Sequence, residues 1–246
     1  MKKIRPLLIL NFLFLNLVST AKIDPQKLEF GLGVSPCFGW AHSNSKYIQS
    51  NGLGLNFGFG AKINYALGDK YGIGMEVNLQ NVSTKIHFGR IDVVKPNGID
   101  TLHSSNFEMA YAFQYIEIPI MLKMRTEENN DLRYYGEFGA AINILLNQKA
   151  DITSNGFSLT GVNTQNPEDG DHFKLLNTDN INTSYSYKVS PFRLGLVLGG
   201  GVQYLIKNNS RIDLGLRYNA GLTDILGDSK LQLNNSYLSL NIGFIF

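Results

Sequence analysis

Residues 237–246, YLSLNIGFIF, alternate without a break. Leu238, Leu240, Ile242, Phe244 and Phe246 fall on one face, and Tyr237, Ser239, Asn241, Gly243 and Ile245 on the other. A period of two marks a β-strand whose faces meet different surroundings. Roughly ten residues is also what a tilted strand needs to cross a bilayer.

The same two-faced pattern recurs upstream, in residues 28–38, 53–67, 70–85, 111–125, 132–146, 189–206 and 211–222. The second of these is the clearest. Leu53, Leu55, Phe57, Phe59, Ala61, Ile63, Tyr65 and Leu67 share one face, while Gly54, Asn56, Gly58, Gly60, Lys62 and Asn64 share the other. The connections alternate long and short, with short polar turns at residues 68–69, 127–131 and 207–210. The longest connection, residues 149–188, has room for a hairpin pairing residues 157–162 with 172–176. An even strand number with alternating loop lengths predicts an all-β protein, an eight-stranded antiparallel up-and-down transmembrane β-barrel.

A soluble barrel would show the same alternation with its faces reversed. The glycines argue for an apolar exterior: Gly31, Gly33, Gly58, Gly60, Gly72, Gly74, Gly199, Gly201, Gly215 and Gly243 all lie on the polar face. The interior of eight strands is only just wide enough for side chains, and glycine relieves crowding there. Placing the short turns in the periplasm puts Tyr65, Tyr71, Tyr134, Tyr204, Phe244 and Phe246 on the apolar face at that end, as an interfacial aromatic girdle requires. An aromatic last residue is also what the closing strand of a bacterial outer-membrane barrel carries, so the outer membrane is the expected location.

Composition agrees with this reading. Charged residues make up 17% of the chain, below the roughly 25% of soluble domains. A basic start followed by an apolar run and Ser19-Thr20-Ala21 reads as a secretory leader, residues 1–21, ahead of a barrel domain at 22–246. Removing its three bases from the 22 Lys and Arg leaves 19 against 20 acids, so nothing points to nucleic acid. Cys37, the single cysteine, reads as a packed strand residue.

The inward face carries Glu29, Glu76, Glu117, Glu137 and Asp213 with Lys62, Lys123, Arg125, Arg133, Arg193 and Arg217. Such charges must pair in a narrow lumen, because an uncompensated buried charge is costly. The plainer outcome is a salt-bridged filling; the sharper one is an ion pathway. Glu76, Glu117, Lys123, Arg133, Glu137, Arg193, Asp213 and Arg217 are the expected structural network. His42, His87, His103 and His172 fall at strand ends or in loops, where a rim enzyme would carry them, but sequence adjacency is not catalytic geometry. Residues 168–171, EDGD, lack the spacing of an EF-hand and read as a turn. No catalytic, cofactor or metal residues are expected.

Tyr115-Ile116-Glu117-Ile118-Pro119-Ile120-Met121-Leu122-Lys123 resembles the motif of the PorT-like outer-membrane β-barrel family of Bacteroidetes-type bacteria. Tyr135 to Gly139, Phe192-Arg193-Leu194 with the following glycines, and Tyr218 to Asp224 continue the resemblance in order. It implies an eight-stranded outer-membrane barrel, and a member of that family supports protein secretion and surface export. Pro119 removes a ladder hydrogen bond, so a strand break is expected there. The expected role is a non-catalytic anchor or binding module acting through its external loops, with an accessory of secretion, a rim enzyme or a small-solute channel as alternatives. The expected partners are outer-membrane lipid and other envelope or secretion proteins, around a monomeric barrel.

Overall fold

The computed structural model describes residues 24–43, 48–88, 91–94, 101–104, 107–154, 157–162, 174–177, 180–185, 189–206, 210–226 and 232–246. A short 3-10 helix, Pro25–Lys27, leads into β1 (Leu28–Ser43), β2 (Ile48–Ala66), β3 (Tyr71–Phe88), β4 (Ile91–Val94), β5 (Thr101–Ser104), β6 (Phe107–Arg125) and β7 (Leu132–Ser154). β8 (Phe157–Val162), β9 (Lys174–Asn177), β10 (Asn180–Tyr185), β11 (Phe192–Leu205), β12 (Arg211–Gly221) and β13 (Leu233–Ile245) follow. The expected leader and the EDGD stretch lie outside the described residues.

β1, β2, β3, β6, β7, β11, β12 and β13 form the wall, each antiparallel to its chain neighbour. The ring closes where β13 meets β1, with Gly33 opposite Gly243 and Leu32 opposite Phe244. It is therefore an eight-stranded up-and-down barrel with no free edge in its closed part. Leu32, Leu55, Phe138, Leu216 and Phe246 point outward and are exposed, while Lys62, Glu76 and Arg217 point inward and are buried. The expected girdle residues Tyr71, Tyr134, Tyr204, Phe244 and Phe246 are exposed at the short-turn end.

One short turn shows its chemistry plainly. Asn129 and Leu132 exchange backbone hydrogen bonds of 2.9 and 3.1 Å. Asn130 and Asp131 between them have φ of 52° and 63°. Both central residues at positive φ make a type I′ hairpin, which Asn and Asp tolerate better than other side chains.

Several wall strands run further at the long-loop end than their alternation suggests. The inner face of β3 passes from Glu76, Asn78 and Gln80 to Val82 and Ile86, and that of β6 carries Met109, Tyr111, Phe113 and Tyr115. On the outer face of the same strands stand Asn81, Lys85 and Gln114. The expectation of a polar interior along every strand is corrected here. In the apolar belt the barrel is greasy outside; beyond it, β3 and β6 turn greasy inside, as a sheet in water does. On β7 a bulge opposite Gln114 and Tyr115 sets both Leu146 and Asn147 outward.

The long connections also differ from expectation. Residues 157–162 do form a strand, but β8 pairs with β7 and extends the wall. β9 pairs with β4 and β10 instead, so the expected hairpin is replaced by a four-stranded sheet in the order β10-β9-β4-β5. Pro119 breaks no strand: β6 runs through it, with Ile118, Pro119 and Ile120 opposite Ile142, Ala141 and Ala140. The pairing of β6 with β3 lapses between Ile120–Met75 and Glu117–Asn78, without a change of register. The missing donor thus opens a gap in one ladder and no bulge.

Candidate functional site

The alternation of the eight wall strands delivers polar side chains to the lumen, where they form three layers. Nearest the short turns, Glu29 of β1 accepts from Arg125 of β6 at 3.0 and 2.7 Å and from Arg211 of β12 at 2.8 Å. Arg133 sits in this layer but reaches Glu128 on the neighbouring turn, at 3.4 Å. Arg133, expected in the lumen network, thus stands at the mouth of the lumen, at the start of β7.

The central layer is dense. Arg217 donates to both oxygens of Glu76, at 2.8 and 2.9 Å, and through Nε to Glu137 at 2.6 Å. Lys123 lies 3.5 Å from Glu137, and Lys62 lies 3.5 Å from Asp213 and 3.9 Å from Glu76. Three acids thus meet three bases. The lysine stems need space, and glycine provides it: a Cβ at Gly33 would lie 2.7 Å from Lys62 Cε, and one at Gly74 2.7 Å from Lys123 Cε.

The third layer has one carboxylate and one guanidinium that meet through neutral groups. Tyr237 OH donates to Glu117, and Asn219 Nδ2 donates to Glu117 at 2.9 Å. Arg193 donates to Asn219 Oδ1 at 2.9 Å and to the Asn235 carbonyl at 2.7 Å, and stacks over the Tyr237 ring. Above it Tyr115, Phe113 and Tyr111 follow one another on the inner face of β6, with ring centroids 5.8 and 5.4 Å apart. Paired charges followed by an aromatic stack fill the lumen with side chains, which suits a closed eight-stranded barrel.

Of the expected network, Glu76, Lys123, Glu137, Asp213 and Arg217 come together, and Glu117 and Arg193 form the layer above. Arg211, Asn219, Asn235 and Tyr237 are participants the sequence reading did not pick out. For Tyr237 a signal existed, since a tyrosine on the inward face of a lumen strand needs a partner for its hydroxyl. Among the described residues, His42 is exposed near the end of β1, His87 lies near the end of β3, and His103 of β5 stands opposite Asp92 of β4. His172 lies outside the described residues. Cys37 is fully buried and takes a hydrogen bond from Gln80 at 3.1 Å.

Residues 20–227 match the family described as outer membrane protein beta-barrel domain. No curated protein matches the chain. Among solved structures, similarity extends to Neisserial surface protein A, at 15% identity over 89% of this chain and 96% of that one, with a TM-score of 0.42. The attachment invasion locus protein Ail of Yersinia pestis is 16% identical over 89% and 98%, with a TM-score of 0.35. The Escherichia coli outer membrane protease OmpT is 9% identical over 92% and 98%, with a TM-score of 0.44.

Proposed function

Because this chain belongs to the outer membrane protein beta-barrel domain family and resides in the outer membrane, we propose that it is a non-catalytic anchor whose external loops form a binding surface. The observation that carries this reading is the ladder between β4 and β9. It joins the connection between β3 and β6 to the connection between β7 and β11, in a sheet separate from the wall. Loop backbone committed to such pairing is held in place, and a held surface loses less freedom on binding. The filled lumen supports the same reading against a channel. The Tyr115 to Lys123 motif supports placement with the PorT-like barrels, among which an accessory of secretion is the more specific role.

The test replaces residues 91–104 or 174–185 with Gly-Ser linkers and follows two readouts in cells. Heat-modifiable gel mobility reports folding of the wall, and cross-linking before purification reports envelope partners. The reading expects a folded wall and loss of the cross-linked partners. Unchanged partners on a folded wall with both loops replaced would refute it, and loss of a surface hydrolytic activity on joint substitution of the four histidines would favour a rim enzyme.

A further inference from the structure

The short-turn mouth of the barrel gathers three guanidinium groups, each in an ion pair that leaves part of its donor edge unused. Arg125, Arg133 and Arg211 project into it from β6, β7 and β12. Among the described residues Glu29 is the one carboxylate bridging two of them, and Arg133 has only the 3.4 Å contact with Glu128, which is partly exposed. Arg133 also faces like charge from Arg211 and Arg125.

A second, independent feature is the set of polar atoms left over. The Nε–H of Arg125, of Arg133 and of Arg211 is in each case buried and without a hydrogen-bond partner. So are both amide atoms of Gln203 and both of Asn64, each side chain 1% exposed. Gln203 stands opposite Arg133 across one ladder, and Asn64 stands opposite Glu29 across another. Buried donors without acceptors are rare in native structures and call for an explanation. A cavity of about 480 Å³ is lined by Arg125 and Arg133 of this set, together with Glu29 and Lys70, and with Asp69, Glu127 and Glu128 toward the turns; Gln203 and Asn64 lie beneath it, toward the central layer. Of those acids Glu127 is tied to Lys70 at 2.9 Å and Glu128 to Arg133.

We propose that this mouth is an oxyanion site, taking a phosphate or carboxylate group presented from the periplasm. Guanidinium forks match the paired oxygens of such groups. The entering anion displaces Glu128 from Arg133 and accepts from the guanidinium edge it leaves. The acidic side chains toward the turns discriminate against flexible polyanions and favour a small group that reaches the arginines.

The test uses the purified full chain in nanodiscs, with inorganic phosphate, glycerol phosphate and succinate as probes in isothermal titration at constant ionic strength. Saturable binding of at least one probe is expected, weakened tenfold or more in Arg133→Gln, and unchanged in Lys149→Gln at the opposite end. Arg133 is chosen because Arg125 and Arg211 also hold Glu29; heat-modifiable mobility checks that each variant folds. Tighter binding of glycerol phosphate than of phosphate assigns the group to a larger molecule, and the reverse order assigns free phosphate. Binding of succinate alone assigns a carboxylate. Absence of saturable binding by all three at millimolar concentration, or equal binding by folded Arg133→Gln, overturns the site.

Discussion

Replacing Arg217 by methionine removes the cation at the centre of the lumen and keeps a long side chain. Its guanidinium makes three charge-assisted hydrogen bonds, two to Glu76 and one to Glu137. At about 1.5–3 kcal/mol each they set a ceiling of about 4.5–9 kcal/mol. The variant no longer has to desolvate a guanidinium, so the net loss is smaller, about 3–5 kcal/mol for breaking a buried pair. At about 1.4 kcal/mol per tenfold, the unfolding constant rises roughly a hundredfold to a few thousandfold. Charge counting adds a second arm. Arg217→Met leaves Glu76, Glu137 and Asp213 facing only Lys62 and Lys123, whereas Arg217→Met with Glu76→Gln restores balance. The double variant should recover at least half of the loss. Urea titration in lipid vesicles, followed by heat-modifiable mobility and by the fluorescence of Trp40, measures both. A single variant within about 1 kcal/mol of the parent, or a double variant no better than the single, refutes the coupled network.

Gly74→Val should destabilise by about 1–3 kcal/mol, because its Cβ meets Lys123 Cε at 2.7 Å, while Gly68→Ala, with open space around it, should leave the urea midpoint unchanged. With Trp40 replaced by phenylalanine, Leu79→Trp should be quenched by lipids brominated on their acyl chains and Lys85→Trp should not; equal quenching would contradict the change of sidedness along β3. Phe113→Ala, inside the aromatic stack, should cost about 3–5 kcal/mol by the same urea titration. The purified barrel should give no single-channel steps in planar bilayers, and a steady conductance sensitive to Arg217→Met would show that the layers conduct.

The wall was legible because a strand's side chains alternate by geometry, so the Leu, Ile and Phe rows announce their face without knowledge of the neighbours. Glycine on the opposite face told which side was crowded. The membrane boundary is written in the phase of the alternation along each strand. In β3 the apolar series shifts from the odd positions 71–79 to Val82 and Ile86, and in β6 from Tyr115 to Ile116. Such a one-residue shift of phase exchanges the faces. The motif's Pro119 was visible as well, but whether it bends the strand or only empties one ladder depends on its neighbours.

Sequence alone determined that eight two-faced strands must close into a barrel with its charges inside, because the alternation is local and an open edge in lipid is untenable. It did not determine which charge meets which. Glu76 and Arg217 are 141 positions apart, and Glu29 meets Arg125 and Arg211 from 96 and 182 positions away. These pairings, all between residues 96 or more positions apart, follow from the stagger of the closed ladder, which only the assembled wall fixes. The joining of two external connections through β4 and β9 is likewise a matter of tertiary placement, since each segment is too short to fold without the other.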